Sequence, residues 1–126
     1  MNKSKNIINF VQSLAKDLAS SGLDAKTLDY NDNKARETVL NKAPKHLLDN
    51  NLVLSLDTMD SQVAPVAEGT VTAMVQMMWF LIDTETNEKI ESPKIFGTGV
   101  GNSETASLIA IDYTEAIFLM SLLKSL

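Results

Sequence analysis

Cysteine is absent from this chain and histidine occurs once, as His46. Without cysteine there can be no disulfide framework, thiolate nucleophile or zinc site built on sulfur, and a single histidine rules out a multi-histidine metal site within one subunit. The Gly-x-Ser-x-Gly nucleophile elbow and the Gly-Lys-Ser/Thr ending of a phosphate-binding loop are missing as well. Gly97, Gly99 and Gly101 do precede a helix start, where backbone N–H groups can meet a phosphate. Asn102, however, stands where a dinucleotide fingerprint needs glycine, and a flexible strand-to-helix connection is the simpler reading. The carboxylates Asp83, Glu85, Glu88 and Glu91 suit a hard cation in type but not in the spacing of an EF-hand, and they read as a solvated turn. An enzyme therefore has no anchor in this sequence, and no metal or cofactor is expected.

Long apolar runs are also lacking. The basic start Asn2-Lys3-Ser4-Lys5 leads into Ile7, Ile8, Phe10 and Val11, but Gln12, Ser13, Lys16 and Asp17 break the run before it makes a signal-peptide core. No uninterrupted segment reaches bilayer-spanning length, so the expectation is a soluble, cytoplasmic protein without a membrane partner.

What is present is a hydrophobic fraction of 44% against 21% charged over 126 residues, enough for one domain, residues 1–126, with a packed core. The net charge of −5 is unevenly spread. Residues 1–45 carry eight basic and five acidic groups, whereas residues 46–126 carry three basic and eleven acidic. A polyanion would meet the basic N-terminal third first, since attraction to phosphate follows local charge. In the absence of other signals such lysines simply keep the surface hydrated.

Ile7, Ile8, Val11, Leu14, Ala15 and Leu18 recur at helical spacing over residues 4–20, with Ser4 as N-cap and Gly22 as stop. A short helix around residues 34–40 and another through His46-Leu47-Leu48, entered at Pro44, complete a basic helical N-terminal region. From Leu52 the period becomes two, which opens a sheet. Residues 58–69 read as a loop or the splayed end of a hairpin, and residues 70–82 as a long strand with both faces largely apolar towards its end. The second face of such a strand meets a helix, another subunit or a ligand. Asp83 to Glu88 forms a hairpin turn with Asn87 suited to positive φ, and residues 89–98 return, Pro93 marking an edge or bulge. Ser103 and Glu104 then cap a terminal helix whose stripe is Ala106, Ile109, Ala110, Tyr113, Ile117 and Met120. The fold class is α+β: an antiparallel sheet between N-terminal helices and a long C-terminal helix. Trp79, between Met77 and Leu81 in its strand, is expected in the core.

Three stretches carry a resemblance: Leu47-Leu48-Asp49-Asn50-Asn51-Leu52-Val53-Leu54, Trp79-Phe80-Leu81-Ile82-Asp83-Thr84-Glu85-Thr86-Asn87-Glu88, and Ala110-Ile111-Asp112-Tyr113-Thr114-Glu115-Ala116-Ile117-Phe118-Leu119. In this order they resemble the essential recombination function (ERF) family of phage single-strand annealing proteins, over roughly two-thirds of the chain. The resemblance implies a β-β-β-α core, homo-oligomeric rings or filaments, single-stranded DNA as ligand, ATP-independent pairing of complementary strands, and a phage or host recombination protein as a further partner. Asp112 replaces the usual Thr, while Glu115 and Ala116 occupy the positions of a basic pair. Of the family's helix motif Tyr113 carries over, and Arg36, Lys42, Lys45 and Lys94 are the cations left to face phosphate. The alternative is an oligomeric scaffold or protein-interaction module of the same fold without DNA binding; a metal-dependent nuclease would rest on carboxylates alone.

Overall fold

The computed structural model describes residues 4–126. Three helices, α1 (Lys5–Ser20), α2 (Asn33–Asp49) and α3 (Ala106–Ser125), accompany four strands, β1 (Leu52–Ala67), β2 (Thr70–Asp83), β3 (Lys89–Glu91) and β4 (Ile95–Gly101). The sheet is wholly antiparallel: β2 is central, β1 pairs along one side, and β3 and β4 follow one another along the other. The chain is thus α+β, as expected.

α1 begins where Ser4 Oγ accepts the Ile7 N–H at 3.1 Å, and it buries Ile7, Phe10, Val11, Leu14 and Leu18. Gly22, at φ +80°, turns the chain away. α2 corrects the expectation of two short helices. Asp32 Oδ1 accepts the Lys34 and Ala35 N–H groups at 3.0 and 3.3 Å, and Ala35, Val39, Ala43 and His46 then line one inward stripe. Pro44 lies inside this single helix on its exposed side, so the hydrogen bond that proline removes is lost where water reaches the backbone. The helix crosses residue 45, so the basic region and the sheet region share an element.

The expected loop at residues 58–69 is instead the far half of a hairpin. β1 stays paired with β2 to Ala67, with irregularities between Thr58 and Asp60 and between Pro65 and Ala67, and only Glu68-Gly69 turn. Residues 55–69 are all exposed, which is why they show no apolar alternation. β2 alternates as read: Ala73, Val75, Met77, Trp79 and Leu81 are buried beneath the helices, while Met74 lies open and Met78, Phe80 and Ile82 are half-covered. No helix lies over that second face among the described residues.

The return segment is two strands rather than one, divided at Ser92-Pro93-Lys94. Buried Ser92 bridges the break: Trp79 N–H donates to Ser92 Oγ, and Ser92 N–H to Trp79 O, each at 2.8 Å. Gly97 to Gly101 is likewise strand, not a loose connection. The three glycines pair with Val75, Ala73 and Val71, on the face that α3 covers. A Cβ on Gly97 would stand 2.5 Å from the Ala110 carbonyl oxygen, and one on Gly99 would overlap the Ala106 carbonyl and the Ala110 amide. Absent side chains let the helix backbone rest directly on the strand.

α3 is entered through Asn102, whose Oδ1 accepts the Glu104 and Thr105 N–H groups at 2.9 Å; Ser103 is not the cap. Its buried positions are Ala106, Ala110, Thr114, Ala116, Phe118, Leu119, Met120, Leu122 and Leu123, so the stripe passes through Thr114 rather than Tyr113 or the exposed Ile109. Trp79 Nε1–H donates to Thr114 Oγ1 at 2.9 Å, and that hydroxyl donates to Ile111 O at 2.7 Å. By length and composition α3 is apolar enough to cross a membrane, although Asp112 and Glu115 interrupt its apolar sequence. Half of its most apolar stretch is buried against the rest of the protein, and sheet packing on one side with α1 and α2 on the other explains its broad apolar circumference.

Candidate functional site

Five residues carry the expected interface, and the fold distributes them over three places. Arg36 and Tyr113, 77 positions apart in sequence, meet between α2 and α3: the guanidinium carbon stands 4.9 Å from the centre of the tyrosine ring. Arg36 is held from behind, Nη1 donating to Tyr30 O at 2.6 Å and Nη2 to Asn33 Oδ1 at 3.3 Å. Around the pair opens a groove of about 380 Å³, lined also by Asn33, Glu37, Leu40, Thr98, Ile109 and Asp112. A planar cation fixed against a half-buried ring can accept a flat, electron-rich partner and still has N–H groups for an anion. Glu37 and Asp112 set two carboxylates at the same rim, which limits the anionic charge the groove can hold.

Lys42 turns the other way. Its Nζ lies 3.0 Å from Asp17 Oδ1, and His46 Nε2 lies 2.8 Å from Asp17 Oδ2. An ionised carboxylate only accepts, so this histidine nitrogen carries a proton. The His46 contact and then the Lys42 contact hold Asp17 down to about 2 from an ordinary 3.8. Lys42 is thereby engaged by Asp17 at a half-buried position. Lys45 lines a shallow polar depression of about 510 Å³ between α1 and α2 together with Lys16, Asn9, Gln12, Ser13, His46, Asp49 and Asn50. Lys94 is exposed in the break between β3 and β4. Of the basic-pair positions, Ala116 is buried and would give a cation no path to solvent, while Glu115 is half-buried, its carboxyl pushed up by burial and by Asp112.

Lys16, Asn33 and Thr98 were not named as site residues by sequence reasoning, and Asp112 only as a departure from the family's helix motif. Lys16 had a signal, since it lies on the polar side of α1 beside Asp17. The joining of Asn33, Thr98 and Asp112 is tertiary and left no local mark.

A second network ties the start of α1 to the sheet. Asn6 Nδ2 donates to Asp83 Oδ1 at 3.2 Å and to Glu85 Oε1 at 2.8 Å, and Asn51 Nδ2 reaches the same Glu85 oxygen at 2.8 Å. Burial alone would raise the Asp83 carboxyl, but the Ser4 hydroxyl, the Glu85 N–H, Asn6 and the Thr86 N–H bring it to about 2. These acids, expected as a solvated tip, include one that is fully buried. No group of three or more potential metal ligands clusters among the described residues.

Both Asp17 and Asp83 titrate lower in the folded chain than near the ordinary 3.8 of an unfolded one. Their contribution to stability is complete above about pH 4 and disappears as the pH falls towards 2. The thermal midpoint should therefore be level near neutrality and drop through that interval, and Asp17→Asn should flatten part of the drop. A midpoint independent of pH between 5 and 2 would contradict this assignment.

No family model, curated protein or solved structure matches this chain.

Proposed function

We propose that this protein binds single-stranded DNA and promotes ATP-independent pairing of complementary strands, acting as a non-enzymatic recombination protein of the ERF annealing type. The observation that carries the reading is the Arg36–Tyr113 pair in an open groove. Single-strand binders join rings or guanidinium planes on which bases stack to cations that neutralise the backbone. In this arrangement an unpaired base stacks on the Arg36–Tyr113 pair, and the adjacent phosphate takes the remaining guanidinium N–H groups. The exposed lysines Lys45 and Lys16 offer a second run of positive charge. Backbone contacts leave base edges free to find complements. The α+β topology, with a hairpin and following strand beneath a C-terminal helix, agrees with the core that the resemblance implies.

Binding should be seen as a rise in anisotropy of a labelled oligonucleotide at low salt. Arg36→Ala and Tyr113→Ala are each expected to weaken it roughly 5- to 100-fold, the value of one stacked base. Lys45→Glu should lower the logarithmic salt slope by about 0.7 if that lysine meets one phosphate. Asp112→Asn should strengthen binding by removing like charge from the groove. No retention of any oligonucleotide at low salt would overturn the reading.

One set of observations favours a scaffold or protein-interaction module instead: Lys42 is engaged with Asp17, Ala116 is buried, and Glu37 and Asp112 share the groove with Arg36. That reading predicts that the wild-type chain retains no oligonucleotide even at low salt.

A further inference from the structure

The sheet has two faces, and the helices cover one. On the other face the alternate residues of β2, Met74, Met78, Phe80 and Ile82, point away from the core, joined by Phe96 and Val100 of β4. Phe96 is 71% exposed and Val100 59%. Neighbouring apolar side chains left open on rigid strands mark a surface on which something docks.

We propose that this open face docks a basic amphipathic helix of a partner protein, its apolar side on β2 and β4 and its cations along β1. Charge selects the sign and the orientation. On this face β1 sets Asp57 level with Met78 and Asp60 level with Gln76, both exposed and neither paired with a cation among the described residues. The lysines stand across β2 from them. Lys89 is taken up, its Nζ 3.7 Å from Glu91 Oε1 and 5.1 Å from the centre of the Phe80 ring, and Lys94 lies in the break between β3 and β4. Asp60 and Phe96 also line a cleft of about 210 Å³, walled by Met74 and Val75 and edged by the amides of Gln62 and Gln76. Apolar walls with one carboxylate among them suit an arginine, whose methylene stem packs on the walls while its guanidinium meets the Phe96 ring and the Asp60 carboxylate.

Shape selects the element. β2 is paired along both of its sides, so this face offers side chains and no free backbone groups, which is what a helix needs and a strand does not. From Met74 to Ile82 the apolar row runs about 27 Å at the ordinary rise of a strand, the length of a helix of about 18 residues. Met74 and Met78 are unbranched and adapt to the side chains they receive. The same features turn other occupants away. Asp57 and Asp60 repel a nucleic-acid backbone or an anionic membrane surface. A second copy has no such helix to offer, because the basic helices α1 and α2 turn their apolar stripes into the core. This inference rests on the open sheet face and not on the nucleic-acid reading.

The probe is a labelled peptide of about 18 residues, leucine and arginine placed at helical spacing so that one side is apolar and one basic. It is titrated with the full chain and followed by anisotropy. Wild type should bind it. Phe96→Asn removes the most exposed apolar contact and Asp57→Lys/Asp60→Lys reverses the charged flank, and each should weaken binding on the order of tenfold or more. Asp24→Lys/Asp49→Lys makes the same change of charge at exposed positions on the helical side, and should leave binding within about twofold. Unchanged circular dichroism and thermal midpoints show that the variants are folded. No binding by wild type, equal loss in the two charge-reversed pairs, a Phe96→Asn chain that binds like wild type, or equal binding of a peptide of the same composition without helical spacing would each overturn the proposal. So would a wild-type assembly, or a retained oligonucleotide, that Phe96→Asn abolishes, since either places a different occupant on this face.

Discussion

Trp79→Ala should lower stability by about 3–5 kcal/mol, the loss that follows truncation of a buried large aromatic. The side chain is 3% exposed and sits where β2, the Ser92 break and α3 converge. Its removal opens a cavity in the main core cluster, next to Leu81, Ile95 and Phe118, and takes away the donor that Thr114 Oγ1 accepts. Domains of this size are stable by about 5–15 kcal/mol, so the variant keeps a fraction of its margin. A fall in thermal midpoint of about 10–20 °C is the corresponding reading in a melt. Trp79→Phe keeps most of the volume and loses the indole N–H, which should cost about 1–2 kcal/mol. A Trp79→Ala chain that melts like wild type yet no longer retains an oligonucleotide would show that the ring serves as a base platform and not as core.

Gly99→Val is expected to destabilise the fold by about 1–3 kcal/mol or more, against the usual preference of strands for valine. The sign is the useful part. Were the glycine run a loose connection, β-branched side chains there would be neutral or helpful. Here a Cβ at Gly99 meets the backbone of α3 itself, which has no rotamer by which to yield. The helix must lift from β4, and the contacts of Ala106 and Ala110 with the sheet are lost with it. Thr98→Val, at the adjacent exposed position, is the matching control and should leave the melt within about 0.5 kcal/mol. Equal melts for Gly99→Val and Thr98→Val would contradict the close approach.

Where burial imposed a pattern, the chain could be read without its structure. Val75, Met77, Trp79 and Leu81 alternate because helices cover one side of β2 and not the other. The turn at Asn87, at φ +62°, was visible because few residues accept that conformation, and Ser4 marked the start of α1 through its own hydrogen bond. Where burial was missing, so was the pattern: Asp57, Asp60, Ser61 and Gln62 form a strand exposed on both sides and look like loop. Pro44 concealed the continuity of α2 because the cost of a proline depends on which side of the helix it faces. Gly97, Gly99 and Gly101 suggested freedom, although Gly97 and Gly99 mark a close approach of the α3 backbone to β4. At the site, Arg36 reads as one of the remaining cations and Tyr113 as a match to the family's helix motif, but their meeting depends on how α2 crosses α3. The engagement of Lys42 by Asp17 also joins two helices and could not be foreseen from charge alone.

The hairpin of β1 and β2 has a kinetic consequence. Its two arms are joined by Glu68-Gly69 and zip together through contacts close in sequence, which places its formation in the microsecond range. The link from Asn6 to Asp83 and Glu85 closes a loop of more than seventy residues, so the docking of α1 waits on chain entropy that the hairpin never faces. A refolding molecule therefore presents a formed hairpin with a bare edge before α1 has docked on it. In that interval concentration governs the outcome, and refolding yield should fall as protein concentration rises even where the native chain stays in solution.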